Sequence, residues 1–375
     1  MHDKLAGIYK NTYIGTHKQH LTLAMNDNDL TPLGQLILDE NLTALEAEKT
    51  NGWKINQAVE FSKYDDEPAI IFAISHKKMK VIQWLISQKV KLNSSQYPAI
   101  VDAVLGGQAM LSLLLDSGVD INAVDPLGRN VITVALYNNQ LALIPFLVEK
   151  GFDVSKDGHS LRQAVFGRQF KAVELLLSVG YNVNFHQRDQ VFPHNPSALQ
   201  VAASNKNDLK TVKLLVEHGA DIMLEDQYGD RPFTAATQSK NNTVADYLKN
   251  LEPTEWHDES RHLTKLTPYQ LPESLLAICK SKCRKIKINT NTDYGVNYLV
   301  LHPVLMLKAT TYRKKVVVEF VAETDNYESF LVWYPAKHCL AYWDKEHGDF
   351  KALGSWEDFL TAPGQFFERY LSDFF

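Results

Sequence analysis

A short motif recurs five times between residues 84 and 224 and restricts the possible folds more than any other feature of this chain. Each copy is a triplet of large apolar residues followed, in four of the five copies, by a glycine and an Asp or Asn. The copies begin at Trp84, Leu113, Phe146, Leu175 and Leu214. Their triplets end 29, 33, 29 and 39 residues apart. This period predicts a repeat protein, in which each unit covers its apolar side by stacking against its neighbours.

The order of residues within the motif predicts how one unit folds. The triplet ends a helix on its buried side, and a glycine such as Gly118 supplies the left-handed residue that stops the helix. The Asp or Asn two residues later, such as Asp120, can hydrogen-bond its own backbone in a turn. The first copy has Lys89 and Lys91 at these two places, so we expect a less sharply capped helix there. A second short apolar helix precedes each triplet, which predicts units of helix, turn, helix and loop.

A second motif opens each unit, and the two motifs together resemble the ankyrin family. That family has a period of about 33 residues and a Thr-Pro-Leu-His-x-Ala start. Related starts stand at residues 31–34, 68–73, 98–103, 130–135, 159–164, 197–202 and 231–236. The resemblance implies an α-helical solenoid of about seven ankyrin repeats within residues 1–251, with an N-terminal cap. Because the family's His is missing from all seven starts, we expect looser hydrogen bonding between units.

The repeat pattern ends near residue 251, and the class of structure changes. Residues 252–272 contain three prolines and are predicted to be a linker. Residues 273–375 carry several alternating or apolar runs, the strongest at 315–321, followed by a helix that Ser355 can cap. This order predicts a small α+β domain with an antiparallel sheet of roughly four to six strands, closed by a C-terminal helix.

The end of this domain resembles SUKH-superfamily domains over residues 340–360. There an apolar strand ends in an aromatic pair and an acid, here Tyr342, Trp343 and Asp344, and a short strand leads into a Ser-x-x-x-Phe-Leu helix. Ankyrin arrays and SUKH-type domains both resemble parts of bacterial immunity proteins, which neutralise a toxin by binding it. The resemblance brings no catalytic signature with it.

Composition and charge argue against several classes of function. A net charge of −5 does not fit general nucleic-acid binding, which needs a basic excess, so we expect no direct nucleic-acid partner. We expect no membrane span, because no apolar run is long and uncharged enough. The N-terminus lacks the apolar core of a secretory signal, and three cysteines are too few to crosslink the chain, so we expect a cytoplasmic protein.

The sequence contains no recognisable catalytic or cofactor-binding motif. Phosphate-binding glycine loops, nucleophile elbows and metalloprotease helices are absent. Cys279 and Cys283 could form half of a metal site with His338 and Cys339, but the alternating lysines between the first two would repel a cation. We therefore expect no cofactor, no metal and no enzyme activity.

Candidate partner-binding residues fall at the loop tips and in one insertion. Tyr97, Arg129, His159, Tyr228 and Arg231 stand at or beside equivalent loop positions and could touch a partner, although ordinary solvent exposure is the alternative for each.

The 39-residue spacing contains an insertion at residues 184–196. Insertions in repeats form loops on one face, often the binding face. Phe185, Arg188 and Phe192 have the composition of interface anchors, unless the two rings fold back onto the repeats. In the C-terminal domain, Trp343 and Asp344 are the candidates.

These observations predict a protein-binding module. The resemblances favour an immunity protein that covers the active cleft of a cognate toxin, with the acidic C-terminal part or the insertion facing a cationic surface. A general ankyrin scaffold or regulatory adaptor is the first alternative. The second is an enzyme, which would need a C-terminal pocket lined by residues such as His302, Trp333, His338, Tyr342 and Asp344.

Overall fold

The computed structural model describes residues 30–62, 65–189, 191–205, 208–288, 296–325, 331–344 and 348–371. The predicted N-terminal cap lies outside these residues. The chain divides into two compact units, residues 2–232 and residues 233–375. The domain limits predicted from the sequence, at residues 251 and 273, stay a prediction.

Paired short helices fill the part of the chain before residue 252, as the repeats predict. Among the described residues there are seven pairs: α1 (Pro32–Leu38) and α2 (Leu42–Thr50), α3 (Ala69–Ser75) and α4 (Met79–Ser87), α5 (Ala99–Ala103) and α6 (Gly107–Asp116), α7 (Val131–Tyr137) and α8 (Leu143–Glu149), α9 (His159–Phe166) and α10 (Phe170–Ser178), α11 (Ala198–Ser204) and α12 (Leu209–Glu217), α13 (Pro232–Gln238) and α14 (Asn242–Leu251). The start motifs thus mark the first helix of each pair.

The helix ends show why these segments fold as separate pairs. Helix α11 begins with a capping box, because the Ser197 hydroxyl accepts from the backbone N–H of Gln200 and the Gln200 side chain accepts from that of Ser197. Helix α6 ends before Gly118, whose φ is 83°. Gly151, Gly180 and Gly219 take the same left-handed conformation, with φ between 83° and 100°. The predicted glycine stop signal is confirmed.

Our prediction of a less sharply capped helix end at Lys89 is wrong. Lys89 takes the left-handed conformation with φ 60°, and its N–H donates to the carbonyl oxygen of Ile86 at 2.9 Å. Gly118 makes the equivalent bond to Leu115 at 3.0 Å. The backbone geometry of the stop is therefore kept without a glycine, at the conformational cost that a side chain brings to this region.

The Asp or Asn that follows each stop forms the predicted local turn. Oδ1 of Asp120 accepts from the N–H of Asn122 at 2.9 Å, and Oδ1 of Asp221 accepts from Met223 at 2.8 Å. The Asn at the end of the motif has a further role. Oδ1 of Asn122 accepts from the N–H of Asp153 in the next unit at 2.8 Å, and Asn184 does the same for Asp221 at 2.7 Å. Consecutive units are therefore joined by side chain to backbone bonds.

A β-hairpin that the sequence did not predict lies between the first two helix pairs. It consists of β1 (Val59–Ser62) and β2 (Asp65–Glu67). Phe61 is fully buried, and its carbonyl oxygen accepts from the N–H of Thr31 at 2.9 Å. Helix α1 passes so close to it that a Cβ on Gly34 would lie 2.2 Å from this oxygen. Glycine is required at that position because the two backbones meet there.

By length and composition alone, the segment Ala99–Asp116 could cross a membrane. In the fold it is interrupted by a 3-10 turn, Val104–Gly106, which separates α5 from α6. Some of its apolar residues are fully buried, among them Ile100, Leu111 and Leu114, and others are partly exposed. Core helices pass the same test of length and composition, so the test does not distinguish them from membrane spans.

The second unit continues with helices before its strands begin. The segment predicted as a linker is folded: it contains α15 (Glu259–Leu266) between two 3-10 turns, and α16 (Glu273–Lys280) follows. Helix α15 is capped by Asp258, which accepts from the N–H of Ser260 at 2.9 Å. Leu266, at its end, is buried in the hydrophobic core of this unit.

Eight strands among the described residues of this unit form two antiparallel sheets. The strands are β3 (Lys285–Lys287), β4 (Tyr298–Leu301), β5 (Lys308–Tyr312), β6 (Lys315–Glu319), β7 (Val321–Thr324), β8 (Leu331–Tyr334), β9 (Cys339–Trp343) and β10 (Phe350–Ala352). The first sheet has the order β10-β9-β8-β6-β5, and the second has the order β3-β4-β7. The five-stranded sheet agrees with the predicted range, and the three-stranded sheet was not predicted.

The run at residues 315–321, predicted as one strand, belongs to both sheets. Strand β6 pairs with β5 and β8, and β7 pairs with β4. The chain bends between them at Phe320, whose side chain is fully buried and whose carbonyl oxygen accepts from the N–H of His302 at 2.8 Å. A single stretch of backbone therefore passes from one sheet to the other.

The C-terminal helices close one side of the five-stranded sheet. They are α17 (Trp356–Thr361) and α18 (Pro363–Leu371). Ser355 caps α17 as predicted, with its hydroxyl accepting from the N–H of Asp358 at 3.0 Å. Trp356 is fully buried, meets Phe320 edge to face at 5.7 Å and donates to the hydroxyl of Ser274 at 2.9 Å.

Candidate functional site

Three finger loops, the segments that link one helix pair to the next, border an open cavity in the compact unit of residues 2–232, which we call the repeat unit. Its volume is about 540 Å³, and its lining comes from residues between 122 and 130, 152 and 159, and 185 and 191. We call this cavity the finger recess. The last of these loops belongs to the insertion that the sequence predicts as a binding element.

The first wall is a tight turn organised by Asp125. One carboxylate oxygen of Asp125 accepts from the N–H groups of Leu127 and Arg129, and the other accepts from Nε of Arg129 at 2.6 Å. Asp125 is only 8% exposed, whereas Val124 and Leu127 are 51% and 53% exposed. The turn therefore buries its charged group and presents two apolar side chains at the rim.

The second wall is the short loop before α9, and it is fixed by Asp157. The carboxylate of Asp157 accepts from the backbone N–H and the hydroxyl of Ser160 and, at 2.8 Å, from the hydroxyl of Tyr181. Burial and the charge of Asp157 raise the pKa of Tyr181 above its usual value. Gly158 is needed here because a Cβ would overlap the ring of Phe185, 1.8 Å from its nearest atom.

The third wall is the insertion, and a single buried arginine holds it. The Arg162 side chain, 1% exposed, donates to the carbonyl oxygens of Gln187 and Pro196 and, at 2.5 Å, to the carboxylate of Asp189. Its guanidinium lies between the rings of Phe185 and Phe192, at 5.1 and 4.9 Å from their centroids. Burial lowers the pKa of Arg162, which the negative charges of Asp189 and Asp157 oppose.

Asp189 connects this arginine to the insertion's own backbone. It accepts from the N–H groups of Val191 and Phe192 at 2.8 and 2.6 Å, and Nδ1 of His159 lies 3.1 Å from its carboxylate. A carboxylate only accepts, so Nδ1 of His159 carries the hydrogen. Burial opposes ionisation, but the hydrogen bonds from His159 and Phe192 and the charge of Arg162 hold the pKa of Asp189 below its usual value.

The recess brings together two of the predicted site residues, His159 and Phe185, and places a third behind them. Phe192 is 6% exposed and packs against Arg162, His159 and Phe166. Of the two arrangements that the sequence left open for Phe192, the structure shows the ring folded back onto the repeats, where it covers the buried guanidinium. Phe185 is half-buried and Arg188 is exposed. Their role as partner anchors stays a prediction.

The other predicted loop residues of the repeat unit differ in how far they extend into solvent. Tyr97 and Arg129 are half-buried: the Tyr97 hydroxyl donates to the carbonyl oxygen of Asp66 at 3.3 Å, and Arg129 bonds Asp125. Tyr228 is 38% exposed and stacks on His194. Arg231 is half-buried. Tyr97 and Arg129 therefore hold the loops that they were expected to project from.

The structure buries one of the two C-terminal candidates, Trp343, and leaves the other, Asp344, partly exposed. Trp343 is 6% exposed and packs against Tyr312 with 5.2 Å between ring centroids, so the surface position expected for it is wrong. Asp344 is partly buried; its N–H donates to the carbonyl oxygen of Asp349 at 2.9 Å, and its carbonyl oxygen accepts from the N–H of Gly348 at 3.0 Å. Trp333 and Tyr342, named for a possible enzyme pocket, belong to the hydrophobic core. No group of three or more described His, Cys, Asp or Glu residues is arranged to hold a metal ion.

Sequence reasoning missed Arg162, although a signal was present. Arg162 occupies the position of the family's His in the fifth start motif, and Gln200 occupies it in the sixth. Gln200 donates to the carbonyl oxygen of Asp230 in the next finger, as Arg162 donates to that of Pro196. The expectation of looser bonding between units is therefore wrong at these two positions, because other donors replace the missing imidazole.

The stacked helix pairs and their finger loops define a helical repeat protein. A family model described as ankyrin repeats (3 copies) matches residues 102–189 and 161–255. Residues 102–255 are therefore an ankyrin-repeat region.

The chain is similar over part of its length to proteins with several different names. The chain is 24% identical over 279 residues to an ankyrin repeat protein of Acanthamoeba polyphaga mimivirus, covering 71% of this chain and 35% of that protein. It is 25% identical over 165 residues to an L-asparaginase of Dirofilaria immitis, covering 43% and 27%. It is 26% identical over 138 residues to alpha-latrotoxin-Lg1a of Latrodectus geometricus, covering 36% and 10%. The chain thus spans about a third or less of the length of these relatives.

Proposed function

We propose that this protein binds a partner protein and that the finger recess is the docking site. Ankyrin repeats are protein-binding modules, and at the recess three consecutive fingers surround one concave space. The observation that carries the proposal is the rim: Val124 and Leu127 are about half exposed beside the cavity. Exposed apolar side chains at a concave surface are typical of interaction sites.

Two features favour a protein partner over a small molecule. The recess is open between loops and is bordered by exposed side chains on separate fingers, so a partner can contact several loops at once. The loops themselves are fixed by internal hydrogen bonds through Asp125, Asp157 and Asp189, so they can act as a rigid surface. A rigid docking surface lowers the entropy that is lost when a complex forms.

The test is capture of the partner by the full chain from its native cell. The tagged wild-type protein is expected to bring down one protein at one-to-one stoichiometry. The double variant Val124→Asp with Leu127→Asp should lose it, because two charges on the rim would be desolvated in the interface. The matched control is Met223→Asp, which changes an equally accessible apolar residue, 46% exposed, on another finger.

Equal recovery by the wild type and the double variant would contradict the proposal. A further variant, Tyr228→Asp, separates the recess from the loop tip predicted by sequence alone. Loss of the partner with Tyr228→Asp and retention with the double variant would move the docking site to the finger at residues 221–231.

The narrower proposal, a cytoplasmic immunity protein that neutralises a toxin, is supported only by the sequence resemblances and by the acidic C-terminal part of the chain. It is tested by expressing the chain with the product of a neighbouring gene and measuring survival. A general scaffold would instead bind a partner that is not toxic. We also propose that the chain has no enzyme activity of its own.

A further inference from the structure

We infer that the finger recess accepts an uncharged apolar side chain of the partner, aromatic or long aliphatic, and not a lysine or arginine. The inference rests on the proposed function, because it specifies the chemistry of the same docking site. Three observations support it. The four carboxylates around the recess already accept hydrogen bonds from this chain, apolar groups lie between them, and the insertion is held in a fixed position.

Two of the carboxylates already bind arginines of this chain. Asp125 accepts from Nε of Arg129 at 2.6 Å and from two backbone N–H groups. Asp189 accepts from Arg162 at 2.5 Å, from His159 and from two backbone N–H groups. A partner cation would have to replace these bonds, which are shorter and more numerous than a new surface contact would provide.

The other two carboxylates are also bound. Asp157 is 7% exposed and accepts from Ser160 and from the hydroxyl of Tyr181. Asp153 accepts from the N–H and hydroxyl of Ser155, and Nζ of Lys156 lies 3.1 Å from its second oxygen. Four acidic residues in the lining would indicate a basic partner if they were read from the sequence alone. In the fold, the positive charges of Arg129, Arg162 and Lys156 lie against three of them.

Apolar groups occupy the space between these polar contacts. Val124 and Leu127 form the exposed rim on one side, and Phe185 and Val191 line the side of the insertion. The volume of about 540 Å³ lies within the range of about 300 to 1,000 Å³ that is usual for pockets enclosing one small ligand. The recess therefore has room for a single large side chain and its neighbours.

The insertion wall is fixed before any partner arrives. Arg162 bonds two carbonyl oxygens and one carboxylate of the insertion and lies between its two phenylalanine rings. Because these bonds are internal, closing the wall does not depend on a ligand. An apolar side chain can therefore be buried in the recess without the cost of ordering the loop.

The experiment selects peptides from a random phage-displayed library on the full-length protein. Peptides that bind the recess are expected to share one aromatic or long aliphatic residue, and replacing it with Ala in the synthetic peptide should weaken binding at least about tenfold. Raising NaCl from about 50 to about 500 mM should change the Kd less than about twofold, since no ion pair forms. Leu127→Asp should weaken binding at least about tenfold, while Met223→Asp changes it less than about twofold.

Recess-dependent peptides that require Lys or Arg, and whose binding weakens about tenfold over the same salt range, would overturn this inference and leave the proposed docking site standing. Selected peptides that bind the wild type and Leu127→Asp equally would overturn both. Leu127 is 53% exposed, so thermal unfolding of the variant should match the wild type and exclude misfolding as the cause.

Discussion

The finger at residues 122–130 and the insertion at residues 184–196 face the same recess, but they are held in different ways. The finger is fixed by bonds within five residues, because Asp125 accepts from the backbone of Leu127 and Arg129. The insertion is fixed by Arg162, which lies on helix α9 more than twenty residues earlier in the chain. Hydrogen bonds within one finger, which we call the local device, can recur in every repeat. The insertion is held instead by contacts with a distant residue.

The finger at residues 221–231 shows how closely the local device is repeated. Asp226 accepts from the N–H groups of Tyr228 and Asp230 at 2.9 Å each, as Asp125 accepts from Leu127 and Arg129. The backbone hydrogen bonds of the two fingers are equivalent, but the residue exposed at the tip is Leu127 in one finger and Tyr228 in the other. The following predictions test the contrast between local and distant support.

Arg162→Ala should have the largest effect. The change removes the Arg162 hydrogen bonds to Asp189 and to two carbonyl oxygens, together with the cation next to two rings, so we expect a loss of about 4 kcal/mol in the free energy of unfolding. Urea denaturation measures it, and hydrogen exchange should localise the loosening to residues 184–196. Arg168→Ala, which removes an exposed side chain bonded to the carbonyl oxygen of Asn205, is the control and should cost less than about 1 kcal/mol. Equal losses would contradict a special role for Arg162.

Phe192→Ala should cost about 3 kcal/mol, because it removes a buried ring from the same cluster. Arg188→Ala, four residues earlier on the exposed side of the insertion, should change stability by less than about 0.5 kcal/mol. Thermal unfolding of the two variants distinguishes the structural part of the insertion from its surface. If Phe192→Ala were as mild as Arg188→Ala, the insertion would not depend on its own core.

Asp125→Ala should cost about 2 kcal/mol, because two backbone N–H groups and the Arg129 guanidinium lose their acceptor. Asp226→Ala removes the same backbone bonds from the other finger at a less buried position, and a loss of about 1 kcal/mol is expected. Chemical denaturation of both variants measures how far the local device is independent of its neighbours. A larger loss of stability for Asp226→Ala than for Asp125→Ala would show that the bond of Asp125 to Arg129 does not contribute to stability.

Asp189→Asn should cost about 1 kcal/mol at neutral pH, because an acceptor remains but the charge facing Arg162 is lost. The pKa of Asp189 is lowered in the fold, so its contribution is complete above about pH 4 and is lost as the pH falls through the folded-state value. The stability difference between wild type and variant should therefore shrink below about pH 4. A difference that stays constant down to about pH 2 would show that the charge is not involved.

Lys89→Gly should have the smallest effect and the opposite sign. The position has φ 60°, which glycine adopts without strain, so we expect a gain of about 0.5 kcal/mol. Gly118→Ala, at the equivalent stop with φ 83°, should destabilise the protein by about 1 kcal/mol. Thermal unfolding of both variants tests whether these stops are governed by backbone conformation alone.

The same contrast explains which parts of the structure could be predicted from the sequence. Helix pairs, glycine stops and the Asp turns depend on neighbouring residues, so motifs such as those around Gly118 and Gly219 locate them correctly. The ankyrin-repeat region followed by antiparallel sheets was predicted for this reason. Lys89 shows the limit, because it adopts a left-handed conformation, with φ 60°, that its own side chain disfavours.

The site depends on contacts between distant residues, and there the predictions were less complete. The sequence left open whether Phe192 is exposed or folded back onto the repeats, because its burial depends on a contact with Arg162, thirty residues earlier. The exposure of Leu127 also could not be read from a turn sequence, because it depends on the recess beside it. The fold brings His159 and Phe185 together at the recess, but their residue types did not show which side chains of these loops the fold would bury.

The bend at Phe320 has a mechanical consequence. Strands β6 and β7 are consecutive, so the two sheets of the second unit share covalent backbone as well as a common core. A pulling force applied to either sheet reaches the other directly along the chain. Under tension, for example during threading into a protease, the two sheets should rupture together in one step instead of peeling apart in sequence.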